Sequence, residues 1–103
     1  MSSYVIAWEF LVKPGSEGDF EHMYGGGGEW CKLFKTSNAY VGTKLIKDCF
    51  RANRYITLDY WLSKGDYDDF KQTVSGEYQS IDARCKSMTE AEACLGTFLS
   101  VED

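Results

Sequence analysis

One predicted strand carries residue types that suit acid–base and redox chemistry. In residues 55–63, the alternation of a strand places Tyr55, Thr57, Asp59 and Trp61 on one face. A carboxylate held against aromatic rings loses water, which raises its pKa and suits it to act as a general base near neutral pH. We therefore identify Asp59 as a candidate catalytic base and Trp61 as a candidate redox-capable catalytic residue.

A purely structural role for Asp59 is the alternative. An ion pair with Arg54 or Arg84, or a hydrogen bond, would hold the carboxylate in place without any part in a reaction. The opposite face of the same segment is apolar and is predicted to be the core face; it comprises Ile56, Leu58, Tyr60 and Leu62.

Other reactive side chains are sparse. His22 is the single histidine and lies about 200° around the predicted helix from Phe20, so we expect it at the surface, with a position at the rim of a pocket as the alternative. One histidine gives little support to a Ser-His-Asp triad.

The cysteines are spaced by 18, 36 and 9 residues without a CxxC pair, so they are predicted to be small buried residues (Cys31, Cys49, Cys85, Cys94). We expect no metal site and no bound cofactor.

Composition narrows the class of protein. The chain has 103 residues, which predicts one domain over residues 1–103. Its formal charge is −5 and its basic residues are scattered, which argues against nucleic acid and anionic membranes as partners. No basic leader and no long apolar run is present, so a cytoplasmic location is predicted.

Four consecutive glycines, residues 25–28, separate two apolar trios. If one helix ran through them unbroken, the trios would point about 80° apart, so a break that re-aims the helix is predicted. A phosphate cradle is an alternative, although it normally follows a strand and precedes a Lys-Ser/Thr pair. A mobile flap over a pocket is a third possibility. The trios are Phe20, Met23, Tyr24 and Trp30, Leu33, Phe34.

The remaining segments complete a pattern of alternating elements. Ser16 and Asp19 have capping-box spacing at the start of the first helix, and Thr89 and Glu92 repeat that spacing, which predicts a short last helix. A long amphipathic helix is predicted from residue 64, with a stripe formed by Tyr67, Phe70, Val74, Tyr78, Ile81 and Cys85. Strands are predicted at residues 4–12, 38–47, 55–63 and 96–101.

The order β-α-β-β-α-β predicts an α+β, ferredoxin-like fold, with an antiparallel sheet and both helices on one face. The first strand is apolar on both faces, so both faces of the sheet are predicted to be buried against other parts of the structure. The simplest cover for the second face is another copy of the chain, which would close a dimeric α+β barrel about a two-fold axis.

Five segments together resemble the antibiotic biosynthesis monooxygenase (ABM) type of dimeric α+β barrel. They are "EFLVKPGSEGDFEHMYG", "EWCKLF", "YVGTKLIKD", "RYITLDYWLSKGDYDDF" and "EYQSIDARCKSMTEAEACLGTF", and the resemblance extends from Tyr4 to Leu99. The chain is most similar to a subset with a Tyr-Gly-x-x-Gly-x-Trp break in the first helix, here Tyr24, Gly25, Gly28 and Trp30. The family includes cofactor-independent quinone-forming monooxygenases, haem-degrading enzymes and small proteins that bind or isomerise ring compounds.

The resemblance implies a pocket between helices and sheet. The residues expected to bind substrate there are Trp8, Tyr24, Trp30, Tyr55, Thr57, Tyr67 and His22, although Tyr24, Trp30 and Tyr67 have core packing as their alternative. Haem-degrading members use an Asn on the first strand, a Trp on the third and a His on the second long helix. Trp61 matches that Trp, but Trp8 stands near the Asn position and the second helix lacks His. Haem degradation is therefore disfavoured.

The resulting hypothesis is an ABM-like homodimer that binds a small hydrophobic or aromatic ligand. In one form of it the protein is a cofactor-independent monooxygenase acting on an aromatic or polyketide-like substrate. In the alternative it is a non-catalytic, ligand-binding or stress-associated dimeric module. A third form has a collapsed pocket and an interaction role. An enzyme needs a desolvated base or an oxidisable ring at the cavity, whereas a binding module needs only the cavity.

Overall fold

The computed structural model describes residues 2–101, so Met1, Glu102 and Asp103 of the predicted domain lie outside the described residues. The strands are β1 (Tyr4–Val12), β2 (Tyr40–Lys47), β3 (Arg54–Trp61) and β4 (Thr89–Leu99). The helices are α1 (Glu17–Tyr24), α2 (Glu29–Phe34), α3 (Lys64–Thr73) and α4 (Ser75–Cys85), with a short 3₁₀ turn at Lys86–Met88. The strands form one antiparallel sheet in the order β2-β3-β1-β4. This is the predicted ferredoxin-like α+β fold.

The two central strands present their bulkiest side chains to the helices. In the β1–β3 register, Trp8 lies opposite Thr57 and Ile6 opposite Asp59. Tyr55 and Trp61 on β3 are 1% and 0% exposed because aromatic rings from the helices cover them. The face of β3 that carries Tyr55, Thr57, Asp59 and Trp61 is therefore the core face.

The sequence-based prediction of the β3 core face was wrong. Ile56, Leu58 and Tyr60 lie on the face turned away from the helices and are only partly buried. Alternation separates the two faces of a strand, but it does not reveal which face the helices cover when both are apolar.

The glycine run forms the predicted helix break. α1 ends at Tyr24, where the Gly25 N–H donates to the Glu21 carbonyl at 2.9 Å, and α2 begins at Glu29. A Cβ on Gly25 would lie 2.7 Å from the Glu21 carbonyl oxygen, and a Cβ on Gly28 would overlap the carbonyl oxygens of His22 and Met23. Gly26 and Gly27 have open space around them. Two of the four glycines are thus required by a close backbone approach.

The break directs both aromatic trios into one core. The rings of Tyr24 and Trp30, on either side of the glycines, are 6.1 Å apart between centroids. Phe34 packs against Trp61 at 5.4 Å and against Phe70 at 5.9 Å. A single straight helix would have left one trio outside this core.

The second half of the chain differs from the prediction in two places. The long helix is divided into α3 and α4 at Val74, whose φ of −109° and ψ of 24° leave the helical region. The short helix predicted at residues 89–92 is absent, since Thr89–Leu99 is a single strand paired along β1. A ladder along nearly the whole of β1 satisfies more backbone groups than one capped turn would.

The predicted capping box at Ser16 does not form in the structure. Ser16 makes no side-chain cap, and the Glu17 carboxylate instead accepts from the Gly15 N–H at 2.7 Å. Ser63 provides a true cap, because its Oγ accepts from the Asp66 N–H at 3.1 Å and starts α3. Among residues 2–101, the helices are all too short or too polar to cross a lipid bilayer.

The glycine break can be tested by adding single methyl groups. Gly28→Ala should lower the free energy of unfolding by about 2 kcal/mol or more, because its Cβ has no room beside two carbonyl oxygens. Gly26→Ala is the matched control and should be neutral or slightly stabilising, since its surroundings are open and its φ is not positive. Urea denaturation measures both, and equal effects would contradict the proposed close approach.

Candidate functional site

A cavity lies between the helix-facing side of the sheet and helices α2 and α4. Its empty volume is about 510 Å³, part of which is open to solvent. Six aromatic residues line it: Trp8, Phe10, Tyr24, Trp30, Phe34 and Tyr78. Its polar lining consists of Cys31, Thr43, Thr57, Asp59, Asp82 and Glu92.

The structure brings five of the predicted site residues to this cavity and leaves four outside. Trp8 and Thr57 come from the paired central strands, and Asp59 follows Thr57 on the same face of β3. Tyr24 and Trp30 flank the glycine break. The four outside are Trp61, Tyr55, Tyr67 and His22.

Asp59 is held by a short chain of hydroxyl groups. The Thr43 Oγ1 donates to Asp59 Oδ1 at 2.7 Å, and the Tyr40 hydroxyl lies 2.6 Å from Thr43 Oγ1. The Tyr40 hydroxyl is also the donor to Cys31 Sγ at 3.5 Å, so the chain of contacts continues to α2. This chain fixes the orientation of the carboxyl group towards the cavity.

The environment of Asp59 makes its carboxylate harder to form than that of an aspartate in water. Burial raises the pKa of Asp59 to about 6, and the hydrogen bond from Thr43 opposes that rise. The two arginines considered as its partners are engaged elsewhere. Arg54 pairs with Glu9 at 2.7 Å and with Asp48 at 3.1 Å, while Arg84 pairs with Glu29 at 2.6 Å.

Trp61 lies in the core behind the cavity wall. It is packed among the rings of Phe34, Tyr40, Tyr67 and Phe70, at centroid distances between 5.0 and 5.4 Å. Its indole N–H has no hydrogen-bond partner within the described part of the chain. Trp61 therefore supports the strand that carries Asp59, but it does not form part of the cavity wall.

The other three outside residues occupy different environments. Tyr55 is buried under α1 and donates its hydroxyl proton to Glu21 Oε2; burial, with Glu21 as a second cause, raises its pKa to about 12. Tyr67 packs on Trp61 from α3. His22 is exposed on α1.

Sequence reasoning missed seven of the residues that line the cavity, and also Tyr40, whose hydroxyl contacts Thr43. The seven are Phe10, Cys31, Phe34, Thr43, Tyr78, Asp82 and Glu92. Thr43 reaches Asp59 because the β2–β3 register sets them opposite each other, and that register is not visible in the sequence. Tyr78 belonged to the predicted helical stripe, so its apolar periodicity was a usable signal. Within residues 2–101, no group of three or more His, Cys, Asp or Glu side chains is placed to hold a metal ion.

Solved structures with this architecture align over nearly the whole chain. A provisionally named antibiotic biosynthesis monooxygenase from Bordetella bronchiseptica has a TM-score of 0.78 at 21% identity, covering 99% of this chain and 100% of that one. SnoaB, a cofactor-independent oxygenase from Streptomyces nogalater, has a TM-score of 0.79 at 12% identity, covering 100% and 97%. The chain has the ABM-like fold. The fold that the sequence resemblance implied is thereby confirmed.

The ABM-like fold occurs under more than one family name. A NIPSNAP family protein from Agrobacterium tumefaciens has a TM-score of 0.70 at 12% identity, covering 97% of this chain and 87% of that one. No protein-family profile matches the chain, and no curated protein sequence matches it. At these identities the ABM-like neighbours define the fold, and the function has to be argued from the cavity itself.

The raised pKa of Asp59 predicts that its charge destabilises the folded protein. Aspartate in an unfolded chain ionises near pH ~4. Above pH ~6 the folded protein therefore carries the full cost of a buried charge, and below pH ~4 this cost is absent. Asp59→Asn should raise the free energy of unfolding by about 1–2 kcal/mol at pH ~8, and this gain should vanish as the pH falls through that window.

Urea unfolding as a function of pH measures this effect. Asp69→Asn, at an exposed position of α3, is the control and should leave the pH profile of the wild type unchanged. A loss of stability in Asp59→Asn at pH ~8 would mean that the carboxylate is stabilised where it lies, contrary to the prediction.

Proposed function

We propose that the protein binds a small aromatic or polyketide-like molecule in this cavity and oxidises it with O₂, as a cofactor-independent monooxygenase. The single observation that carries this proposal is the carboxyl of Asp59, which lies at an aromatic cavity wall with a pKa raised to about 6. A base with a pKa near the working pH is well matched to proton transfer. The ABM-like fold shared with SnoaB supports the same reaction class.

In the proposed reaction Asp59 removes a proton from an acidic C–H of the substrate, which is flanked by aromatic rings or a carbonyl group. The resulting carbanion gives one electron to O₂, and the two radicals combine to form a C–O bond. Asp59 returns its proton to the peroxide anion formed in this way. The resulting hydroperoxide then loses water and leaves a carbonyl group. A methylene group and O₂ thus become a carbonyl group and water, and the base is regenerated.

The neighbours of Asp59 support the base role. The hydroxyls of Thr43 and Tyr40 orient the carboxyl through Oδ1, which leaves Oδ2 free to face the substrate. Trp8 and Trp30 offer flat apolar surfaces for a planar ring. Exclusion of water by such rings strengthens the interaction between the base and its substrate.

A non-catalytic binding module is the second candidate. It is favoured by the absence of Lys, Arg and His from the residues that line the cavity, because a cation would normally stabilise the anion formed after proton removal. Such a module would use the same aromatic wall to hold its ligand without turnover.

The oxygenase proposal can be tested with dithranol, a dihydroxyanthrone whose methylene group is flanked by two rings. We expect the protein to accelerate its O₂ consumption, and Asp59→Asn to lower the catalysed rate by about a hundredfold or more. Affinity for the oxidised dihydroxyanthraquinone, followed by tryptophan fluorescence, should change little in this variant. Asp69→Asn is the matched control. Unchanged turnover in Asp59→Asn would overturn the base role, and binding without turnover in the wild type would favour the binding module.

We also propose that the outer face of the sheet packs against a second copy of the chain. Phe98 is 53% exposed and Ile46 48% exposed on that face. A sheet of four strands, each about nine residues long, offers a footprint of about 600 Å². This approaches the ~800 Å² per partner of a standard interface. The charges of Glu9 and Arg54 at one end neutralise each other at 2.7 Å, so the face can meet its own copy about a two-fold axis.

Light scattering after gel filtration tests the dimer. The wild type should have the mass of a dimer at micromolar concentration, and Phe98→Asp should weaken the dimer at least tenfold because it places a charge in an apolar contact. Gln72→Asp adds the same charge on the exposed surface of α3 and should leave the dimer intact. A monomeric wild type would contradict the proposal.

A further inference from the structure

The charges that line the cavity all have one sign. Asp59, Asp82 and Glu92 line it, and no Lys, Arg or His is among the lining residues. Two basic side chains lie near lining residues but outside the wall. Lys71 Nζ is 4.9 Å from the centroid of the Tyr78 ring, and Lys86 is close enough to Glu92 to act on its charge.

These carboxyl groups lack a sufficient counter-charge. Burial raises the pKa of Asp59 to about 6. Burial, and then the negative charge of Asp82, also raise the pKa of Glu92, against a smaller opposing effect of Lys86. Both shifts have the direction expected when a carboxylate loses more water than a nearby cation compensates, although Glu92 itself lies at an exposed position of β4. A positively charged ligand would supply what the wall lacks.

The aromatic part of the wall also favours a positively charged ligand. The faces of Trp, Tyr and Phe rings carry negative potential and attract ammonium groups, most strongly when water is excluded. Trp8, Trp30 and Tyr78 present such rings around the carboxyl groups.

We propose that the ligand of this cavity is a cationic aromatic amine, a planar ring system that carries a protonated amino group. This inference rests on the proposed function, because it takes the cavity as the ligand site. The proposal excludes carboxylated and phosphorylated aromatic compounds as ligands, because the three carboxyl groups would repel their negative charge.

A positive charge on the ligand would also stabilise the substrate anion that forms in the proposed oxygenase mechanism. When Asp59 takes a proton from the substrate, the substrate acquires a negative charge in a cavity without a basic side chain. An ammonium group on the same molecule compensates that charge, so the intermediate is neutral overall. The substrate itself then provides the electrostatic stabilisation that other active sites obtain from a cation.

Three naphthalene derivatives of matched shape test the inference: naphthylmethylamine, naphthalenemethanol and naphthalenecarboxylate, all substituted at the same ring carbon. Near pH ~7 they are cationic, neutral and anionic. Calorimetry at low ionic strength should find the amine bound at least tenfold more tightly than the alcohol, and the carboxylate bound most weakly.

A double variant links the preference to the cavity wall. Asp82→Asn with Glu92→Gln should reduce the ratio of amine affinity to alcohol affinity at least fivefold. The matched control is Glu77→Gln with Glu90→Gln, which removes two exposed charges from the same helix and strand outside the lining and should keep the full preference.

The outcomes separate the two proposals. Equal binding of the amine and the alcohol, or tighter binding of the carboxylate, would overturn the cationic ligand and leave the cavity as a ligand site. A preference for the amine that survives the double variant would overturn the role of Asp82 and Glu92. If none of the three probes binds, the proposed function fails, and the inference fails with it.

Discussion

The close approach of Gly28 to the carbonyl oxygens of His22 and Met23 is the constraint on which the rest of the site depends. It allows the chain to leave α1 and enter α2 within four residues, at an angle that a side chain at Gly28 would block. Trp30 consequently lines the cavity while Phe34 covers Trp61. The helix break therefore forms one wall of the cavity and also closes the core behind Asp59.

The proposed role of Asp59 as a base conflicts with the stability of the fold. A core built only for stability would place an apolar residue at Asp59, because burial of that carboxyl raises its pKa and penalises the ionised form. The hydrogen bond from Thr43 reduces this penalty but does not remove it. Retaining such a group beside Trp8 and Trp30 is typical of a site where reactivity is gained at the expense of folding energy.

The order of elements was predictable because periodicity and turn residues are local properties. The alternation in β1 and the glycine break were identified from short stretches of sequence. The errors arose where a distant partner decided the outcome. Residues 89–92 had the spacing of a helix start, but pairing with β1 made them part of a strand. The core face of β3 was misassigned because large aromatic or aliphatic side chains occur on both of its faces, and the more polar face, with Thr57 and Asp59, is the one that the helices cover.

The sequence by itself determined the residue types and their order: a carboxylate on an aromatic strand face, a glycine break between two aromatic trios, and an α+β pattern that resembles the ABM fold. Only the tertiary structure decided which of these groups meet. It placed Thr43 against Asp59, brought Asp82 and Glu92 to the same cavity, and put Trp61 behind its wall. The physical reason is that strand register and helix angle depend on packing between segments far apart in the chain, whereas periodicity depends only on neighbouring residues.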